Sequence, residues 1–238
     1  MSIQIDGLPR EVRYFLFDFD GTLIDLRPKW WQPLEDSFVE IIGRVPEDNL
    51  RSRTSEIMAS IPQEPSKLFL LKVLWEIGDA GNLSFFQKIN FVRKAGMKFT
   101  TSRYINQLIP GVEEFLQIIK TRSIPIAIVT TASAKEIERA REELEGFSSF
   151  PFVSRDDVNH LKPHPEPVLK GLEMIGGDPD HAVFVGDFRS DIEAGKAAGL
   201  MTIGLTGFYP ELSENNLRRA EPNLIVQFLH DLIDRIIL

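Results

Sequence analysis

The stretch Tyr14-Phe-Leu-Phe-Asp-Phe-Asp-Gly-Thr-Leu23 constrains the fold more than any other part of the chain. It begins as an apolar, aromatic-rich run of strand length and ends in two aspartates, a glycine and a threonine. This pattern is typical of a buried parallel strand, and ligand sites of open α/β sheets lie at the carboxyl ends of such strands. The stretch therefore predicts a parallel sheet with polar groups along one edge.

The spacing of the two aspartates indicates what kind of site this edge carries. Side chains alternate along a strand, so Asp18 and Asp20 point to one side as long as the chain stays extended. A turn that begins at Gly21 brings both carboxylates over one small volume. Such a pair needs a hard cation such as Mg²⁺, or a division into nucleophile and acid/base. The structural alternative is an Asx-type turn, because Asp-Gly is a common turn pair.

The motif from Asp18 to Leu23 resembles the first motif of the haloacid dehalogenase superfamily in its phosphatase form. The resemblance implies that Asp18 is a nucleophile that becomes a phosphoaspartate. It also implies that Asp20 protonates the leaving alcohol and later deprotonates water. The dehalogenase branch of the superfamily resembles this chain less, because that branch lacks the second aspartate.

The second motif lies at the end of the run Ile124-Pro-Ile-Ala-Ile-Val-Thr130, and this run predicts another buried strand. Thr130 matches the family's hydroxyl residue, which contacts a phosphoryl oxygen without adding charge; an ordinary strand-end threonine is the alternative. Thr131 stands where the family often has asparagine, and it is predicted to contact substrate together with Thr130 and Gly21. Ser133 is predicted to cap the next helix.

The third motif is Lys162-Pro-His-Pro-Glu-Pro167. The resemblance implies that the Lys162 ammonium stands near the nucleophile, where it contacts substrate and stabilises transition-state charge. The alternative is a lysine in a surface loop. His164 lies between two prolines and has no partner that the sequence reveals, so we interpret it as a loop residue or a peripheral substrate contact.

The fourth motif is Ala182-Val-Phe-Val-Gly-Asp187, which predicts a buried strand that ends in a carboxylate. The resemblance implies that Asp187 binds Mg²⁺ together with Asp18 and the backbone carbonyl of Asp20. Asp191 follows one helical turn after Asp187 and is implied to orient Lys162 or metal-bound water. An aspartate that merely favours the helix dipole is the alternative.

Two positions depart from the family's pattern. Phe188 stands where a small hydroxyl residue is frequent, as Thr131 stands where asparagine is frequent. Each change affects the expected contacts around the site, and neither removes one of the four acidic or basic residues on which the resemblance depends.

Between the first and second motifs, apolar residues recur at spacings of three and four, which predicts amphipathic helices. The resemblance implies that residues 27–109 form a helical cap domain, inserted into a doubly wound α/β core of residues 1–26 and 110–238. The aromatic residues of the insert are interpreted as helix-bundle core. Arg51 is predicted to grip a substrate anion, against the alternative of a solvated helix face.

The end of the chain completes the predicted core. Met201 to Leu205 predicts a further strand, and the apolar segment from Ile225 to Leu238 predicts a closing helix.

Composition limits the classes of function. A net charge of −8 argues against nucleic-acid binding, and the absence of cysteine excludes disulfides and thiolate chemistry. No apolar stretch reaches transmembrane length and no signal segment begins the sequence, so we expect a soluble cytoplasmic protein without a membrane partner. The acidic chain needs Mg²⁺ and local cations to hold an anionic substrate.

The sequence therefore predicts a Mg²⁺-dependent phosphatase for a small phosphorylated metabolite, such as phosphoglycolate or a sugar phosphate. A sugar phosphomutase is an alternative, although the segment after Leu23 lacks the histidine of the best-known mutases. A phosphonate hydrolase is disfavoured by Asp20, and a non-catalytic phosphate-binding protein by the adjacent acids that face an anion. The sequence does not identify the leaving group or choose between a monomer and a homodimer.

Overall fold

The fold is described from a computed structural model of the chain. It describes residues 1–25, 27–46, 50, 54, 57, 67–101, 107–144, 147, 149–208 and 210–237. Arg51, a predicted substrate contact, lies outside the described residues. No helix in these ranges combines the length and the apolar character needed to cross a membrane.

The chain divides into two compact units. Unit 1 combines Met1–Asp25 with Asn106–Leu238, and unit 2 is Leu26–Ile105. The chain leaves unit 1 and returns to it along paired backbone: Ile24 and Leu108 form an antiparallel bridge, and Asp25 N donates to Gln107 O at 2.8 Å. The assignment of residues 1–26 and 110–238 to a catalytic core and of residues 27–109 to a cap domain stays a prediction.

Unit 1 is built on a parallel sheet. The strands of the described chain are β1 (Gln4–Ile5), β2 (Tyr14–Phe17), β3 (Ile126–Val129), β4 (Phe152–Val153), β5 (Ala182–Gly186), β6 (Met201–Leu205), β7 (Leu224–Val226) and β8 (Ile236–Ile237). Six of them form one sheet in the order β4-β3-β2-β5-β6-β7, and every neighbouring pair is parallel. The predicted α/β fold and the predicted strand from Met201 to Leu205 are confirmed.

Helices account for most of the remaining described chain. Unit 2 contains α1 (Gln32–Ile42), α2 (Lys67–Ala80) and α3 (Phe85–Thr101), after a π-helical turn at Arg27–Trp31. Those of unit 1 are α4 (Val112–Thr121), α5 (Ala134–Glu143), α6 (Glu166–Met174), α7 (Arg189–Ala197), α8 (Pro210–Ala220) and α9 (His230–Ile233), with short 3₁₀ turns at Arg155–Asp157 and Pro179–His181. Ser133 caps α5 through a reciprocal pair of bonds with Glu136, as predicted.

Side chains of the central strand β2 alternate between two buried clusters. Phe15 and Phe17 pack edge-on against Phe115 of α4 on one face. Leu16 belongs to a second cluster with Leu172 of α6 and Ala194 of α7 on the other face. Helices therefore cover both faces of the sheet, and strands buried on both sides read as continuous apolar runs. The fold is doubly wound, as predicted.

Unit 2 has its own core, in which the buried rings of Phe38 and Phe91 lie 4.4 Å apart. The interpretation of the insert's aromatic residues as core is wrong for Phe85 and Phe86, which are 59% and 81% exposed. Both lie about 120–140° around α3 from Phe91, outside the buried cluster, where Phe85 contacts the edge of Trp75 of α2 and Phe86 contacts Phe85.

The predicted closing helix at the end of the chain is also wrong. The segment contains β7, the four-residue helix α9 and β8 instead. β7 extends the main sheet beside β6, and Ile236 of β8 pairs with Ile5 of β1 in a separate antiparallel ribbon. Pairing between the two ends of the chain is a long-range interaction, so the local apolar pattern contained no sign of it.

Candidate active site

Three neighbouring strands end at the same edge of the sheet. β2, β3 and β5 are followed directly by Asp18, Thr130 and Asp187, and β2 lies between the other two. Asp18 is buried, and its backbone N–H donates to Val185 O at 2.8 Å. Parallel strands deliver their carboxyl ends to one edge, so the structure brings together residues that lie far apart in sequence.

Lys162 reaches this edge from a loop and is itself buried. Its Nζ lies 2.6 Å from Asp18 Oδ1, 2.6 Å from Asp191 Oδ1 and 3.2 Å from Val129 O. The ammonium has three N–H donors, and these three oxygens match them. The ring of Phe184 lies 5.6 Å from Nζ and offers a further favourable contact. The sequence had no signal for the contribution of the Val129 carbonyl.

Asp187 completes an acidic group with Asp18 and Asp191, in which one carboxylate oxygen of each residue lies within 4.8 Å of the others. The Thr22 hydroxyl donates to Asp187 Oδ1 at 3.2 Å. Thr22 belongs to the first motif, yet sequence reasoning assigned it no role. The sequence feature that could have indicated a role for Thr22 is its position directly after the Asp20-Gly21 pair.

Gly21 shapes the turn that follows Asp18 and Asp20. Its φ of +93° lies in the left-handed region that favours glycine, and its N–H donates to Ile24 O at 2.8 Å. A Cβ at this position would lie 2.2 Å from Asp187 Oδ2. Glycine is therefore required both by the backbone and by the carboxylate that approaches it. Asp20, directly before the turn, is half-buried and bridges to Ile24.

Three further predicted residues, Phe188, Thr130 and Thr131, follow the ends of β5 and β3. The backbone N–H of Phe188 donates to Asp191 Oδ2 at 2.9 Å, which fixes the carboxylate that contacts Lys162. The Thr130 hydroxyl oxygen accepts a bond from Ala132 N at 3.0 Å. Thr131 follows it and is half-buried.

Burial controls the electrostatics of the acidic group. Burial raises the pKa of Asp18 to about 7, although the charge of Lys162 opposes the shift. Burial also raises the pKa of Asp187 well above its usual range, and the charges of Asp18 and Asp191 add to this effect. Burial alone lowers the pKa of Lys162, but the two contacting carboxylates more than reverse that effect. The lysine therefore remains a cation throughout the neutral range.

The donor set fits a hard divalent cation. Three carboxylates converge with one ammonium, so the group carries excess negative charge when its acids are ionised. Carboxylate oxygens are ligands that Mg²⁺ accepts, and a cation favours the ionised carboxylates against the burial and repulsion that raise their pKa values. The group of three does not include the side chain of Asp20, whose predicted ligand atom is its backbone carbonyl.

Comparison with known proteins connects this geometry to a family. Residues 15–205 match the family model described as haloacid dehalogenase-like hydrolase. Pyrophosphatase PpaX of Oceanobacillus iheyensis is 29% identical over 232 residues, which cover 93% of this chain and 95% of that protein. Phosphoglycolate phosphatase of Escherichia coli is 35% identical over 127 residues, which cover 53% of this chain and half of that protein.

Solved structures show the same fold. One, described as a predicted phosphoglycolate phosphatase from Haemophilus somnus, has a TM-score of 0.67 at 21% identity, covering 94% of this chain and 97% of that one. Another is CbbY from Rhodobacter sphaeroides in complex with xylulose-(1,5)bisphosphate, with a TM-score of 0.61 at 19% identity, covering 93% and 96%. The resemblance inferred from the four motifs is confirmed.

Proposed function

The chain belongs to the haloacid dehalogenase-like hydrolases, and from this premise we propose that it is a Mg²⁺-dependent phosphatase for a small phosphomonoester. The observation that carries the proposal is the position of Lys162. Its ammonium lies 2.6 Å from both Asp18 and Asp191, within a group of three carboxylates. A buried cation beside a buried carboxylate suits a nucleophile that must approach an anionic phosphoryl group.

The proposed reaction has two steps, with Asp18 as nucleophile and Asp20 as proton carrier. First, an Asp18 oxygen bonds to phosphorus while the bond from phosphorus to the leaving oxygen breaks, and Asp20 gives that oxygen a proton. Second, a water oxygen bonds to phosphorus while the bond to Asp18 breaks, and Asp20 takes the proton of the water. The products are an alcohol and phosphate, and both aspartates return to their first state.

Lys162 has two proposed tasks. Its positive charge opposes the burial that raises the Asp18 pKa, and so favours the ionised form that attacks. It also stabilises negative charge on the phosphoryl oxygens in the transition state. Asp191 positions the ammonium, because it contacts Nζ and is itself held by the Phe188 N–H. Thr130, Thr131 and the turn at Gly21 are the proposed polar contacts for the phosphoryl group.

Asp18, Asp187 and the backbone carbonyl of Asp20 are the residues proposed to hold Mg²⁺. When bound, Mg²⁺ supplies a compact double charge that reduces the repulsion between the carboxylates and the phosphoryl group. Thr22 positions Asp187 through its hydroxyl bond. The space beside Gly21 lets the same carboxylate lie against the turn.

Two substrate types remain candidates. Phosphoglycolate or a sugar phosphate agrees with the sequence-based prediction and with the relative that matches half of this chain. Inorganic pyrophosphate is favoured by the likeness to PpaX, which extends over 93% of the chain and so includes unit 2. We propose that residues 27–109 act as the cap that selects between such leaving groups. A cytoplasmic location, and the choice between monomer and homodimer, stay predictions.

The test is phosphate release from phosphoglycolate, sugar phosphates and pyrophosphate, with Mg²⁺ and with a chelator. We expect one substrate type to dominate, the chelator to abolish turnover, and Asp18→Asn to lower kcat by about 10⁴-fold or more. An amide cannot form the acyl phosphate. Acid quenching should therefore trap phosphate on Asp18 in the wild type and trap none in Asp18→Asn. Glu40→Gln, a surface variant of unit 2, is the control and should keep full activity.

The outcomes separate the alternatives. Substantial turnover by purified Asp18→Asn, with circular dichroism unchanged, would remove Asp18 from the nucleophile role. Phosphoryl transfer between positions of a sugar, without release of phosphate, would identify a mutase. Tight phosphate binding without turnover of any compound would identify a binding protein.

A further inference from the structure

The loop that carries Lys162 holds a second cluster of metal-ligating side chains, made of His160, His164 and Glu166. One ligand atom of each residue lies within 4.8 Å of the others. His160 Nδ1 is 2.7 Å from Glu166 Oε2, and His164 Nδ1 is 4.0 Å from the same oxygen. The two imidazole rings stack with their centroids 4.4 Å apart. The partners of His164, which the sequence did not reveal, are therefore another histidine and a glutamate.

Glu166 is fixed before any ligand arrives. Its Oε1 accepts a bond from Asn159 N at 2.8 Å, and its Oε2 accepts one from His160 N at 3.1 Å. The backbone bond from Asn159 and the side-chain bond from His160 lower the pKa of Glu166 to about 2. The carboxylate is therefore anionic and oriented at neutral pH, with both imidazoles beside it.

We propose that His160, His164 and Glu166 form a binding site for a divalent transition metal such as Zn²⁺. Imidazole nitrogen suits zinc and its neighbours, whereas Mg²⁺ prefers an all-oxygen shell. The two clusters therefore select different metals. This site is independent of the proposed phosphatase reaction, which uses neither histidine.

The distances suit a tetrahedral ion. Zinc bonds to nitrogen and oxygen of about 2.0–2.2 Å place neighbouring ligand atoms about 3.4 Å apart. The separations from Glu166 Oε2, 2.7 Å to His160 Nδ1 and 4.0 Å to His164 Nδ1, lie on either side of this value. Small rotations of exposed side chains reach it, because His160 and His164 are 63% and 49% exposed. Water from the solvent supplies the fourth ligand.

Binding replaces two contacts of the metal-free loop. The backbone N–H of Glu166 donates to His164 Nδ1 at 3.2 Å, and His160 with its proton on Nδ1 donates to Glu166 Oε2 at 2.7 Å. In the metal-bound form each imidazole carries its proton on Nε2, a tautomer change for His160, and Nδ1 is then free to ligate. Since Lys162 is two residues from each histidine, a bound ion joins both arms of the segment that delivers the lysine to Asp18.

The site is tested by calorimetric titration with Zn²⁺ in excess Mg²⁺, which competes with Zn²⁺ for the acidic group of Asp18 and Asp187. We expect the wild type to bind one equivalent through this site, and His160→Asn and His164→Asn to weaken it at least about tenfold. His230→Asn is the matched control: this imidazole is 58% exposed and lies 3.4 Å from a single carboxylate of Glu114. It should leave the affinity unchanged.

A second measurement identifies the metal ligands by spectroscopy rather than by binding affinity. Co²⁺ at this site should give the intense visible absorption of a tetrahedral ion, and His160→Asn and His164→Asn should abolish that absorption. The proposal is overturned if these two variants bind Zn²⁺ as the wild type does, or if His230→Asn lowers the affinity equally. Neither result depends on phosphatase activity, so the two proposals succeed or fail separately.

Discussion

The two units each contain a cluster of lysines and carboxylates, and the clusters behave in opposite ways. In unit 2, Glu40 on α1 contacts Lys94 and Lys98 on α3, the latter at 2.8 Å. Hydrogen bonds from these lysines lower the pKa of Glu40 to about 2. In unit 1, burial raises the pKa of Asp18 to about 7 even though Lys162 lies 2.6 Å away.

Solvent and the number of charges explain the difference. The cluster of unit 2 lies at the surface and has two lysines around Glu40, with Asp36 3.9 Å from Lys98, so its charges are balanced and hydrated. The cluster of unit 1 is largely removed from water and has one lysine for three carboxylates. Exposed pairs contribute little to stability, whereas a buried excess of charge destabilises the fold until a ligand neutralises it. Lysines and carboxylates therefore form solvated ion pairs in unit 2, and in unit 1 they form a buried group that favours binding of a cation.

The largest expected effect comes from removing one lysine from each cluster. Without metal at mildly alkaline pH, Lys162→Met should lower the free energy of unfolding by about 3–5 kcal/mol, because it leaves buried carboxylates unpaired. Lys94→Met should cost at most about 1 kcal/mol. Acid should restore part of the Lys162→Met loss, since protonation of Asp18 below its raised pKa removes the unpaired charge. Equal losses in urea denaturation would contradict the comparison.

Magnesium should stabilise through one cluster alone. At a concentration of about 100 times its Kd, Mg²⁺ should raise the free energy of unfolding by about 2.7 kcal/mol in the wild type. Asp187→Asn should lose most of this gain, because it removes a proposed ligand, and Glu40→Gln should keep it. Thermal unfolding with Mg²⁺ and with chelator measures the difference. An Asp187→Asn protein that gained as much as the wild type would rule out this site.

Two glycines allow a matched test of backbone and site. Gly43 has a φ of +73° with no atom within 4 Å of an added Cβ, whereas Gly21 has a φ of +93° with Asp187 Oδ2 at 2.2 Å. Gly43→Ala should cost about 1–2 kcal/mol for the left-handed conformation alone. Gly21→Ala should cost more and should also weaken Mg²⁺ binding, since Asp187 must move. If both variants lost the same stability and bound Mg²⁺ with the same affinity, the close approach of Asp187 to Gly21 would have no effect on stability or metal binding.

The smallest effect concerns the pH dependence of the exposed cluster. The pKa of Glu40 is lower in the folded chain than its ordinary value of 4.5, so its contribution to stability is present above that value. The contribution is lost as the pH falls from 4.5 toward 2. Glu40→Gln should therefore flatten the stability profile in this window, by an amount that added salt reduces. Urea denaturation across the window, at low and high salt, measures it, and a profile identical to that of the wild type would refute the assignment.

The sequence predicted the parts of the fold and site that follow from local patterns. Asp18, Thr130 and Asp187 were placed at strand ends because apolar runs stop abruptly before them, and the structure has these strands side by side. The meeting of Lys162 and Asp191 followed from the family resemblance rather than from spacing, because the two residues lie in separate segments. The structure supplies that contact at 2.6 Å.

Other parts were not predictable because they depend on tertiary contacts. The Val129 carbonyl that binds Lys162 is a backbone group, and any residue in that strand presents one. The short strands near the end of the chain form through pairing with β1 and β6, so the local apolar pattern alone suggested a helix. The exposure of Phe86 depends on which side of α3 packs, and residue type does not reveal that side.

The paired backbone at Ile24 and Leu108 has a consequence for how such a chain can be modified. The helical segment begins and ends where two strands of chain already run antiparallel, with Asp25 N bonded to Gln107 O. Antiparallel neighbours of this kind can be joined by a two-residue hairpin turn. We therefore expect that a tight turn, or a segment taken from another protein, can replace unit 2 without altering the strand order of the main sheet. Chimeras made at this junction can exchange one helical segment for another.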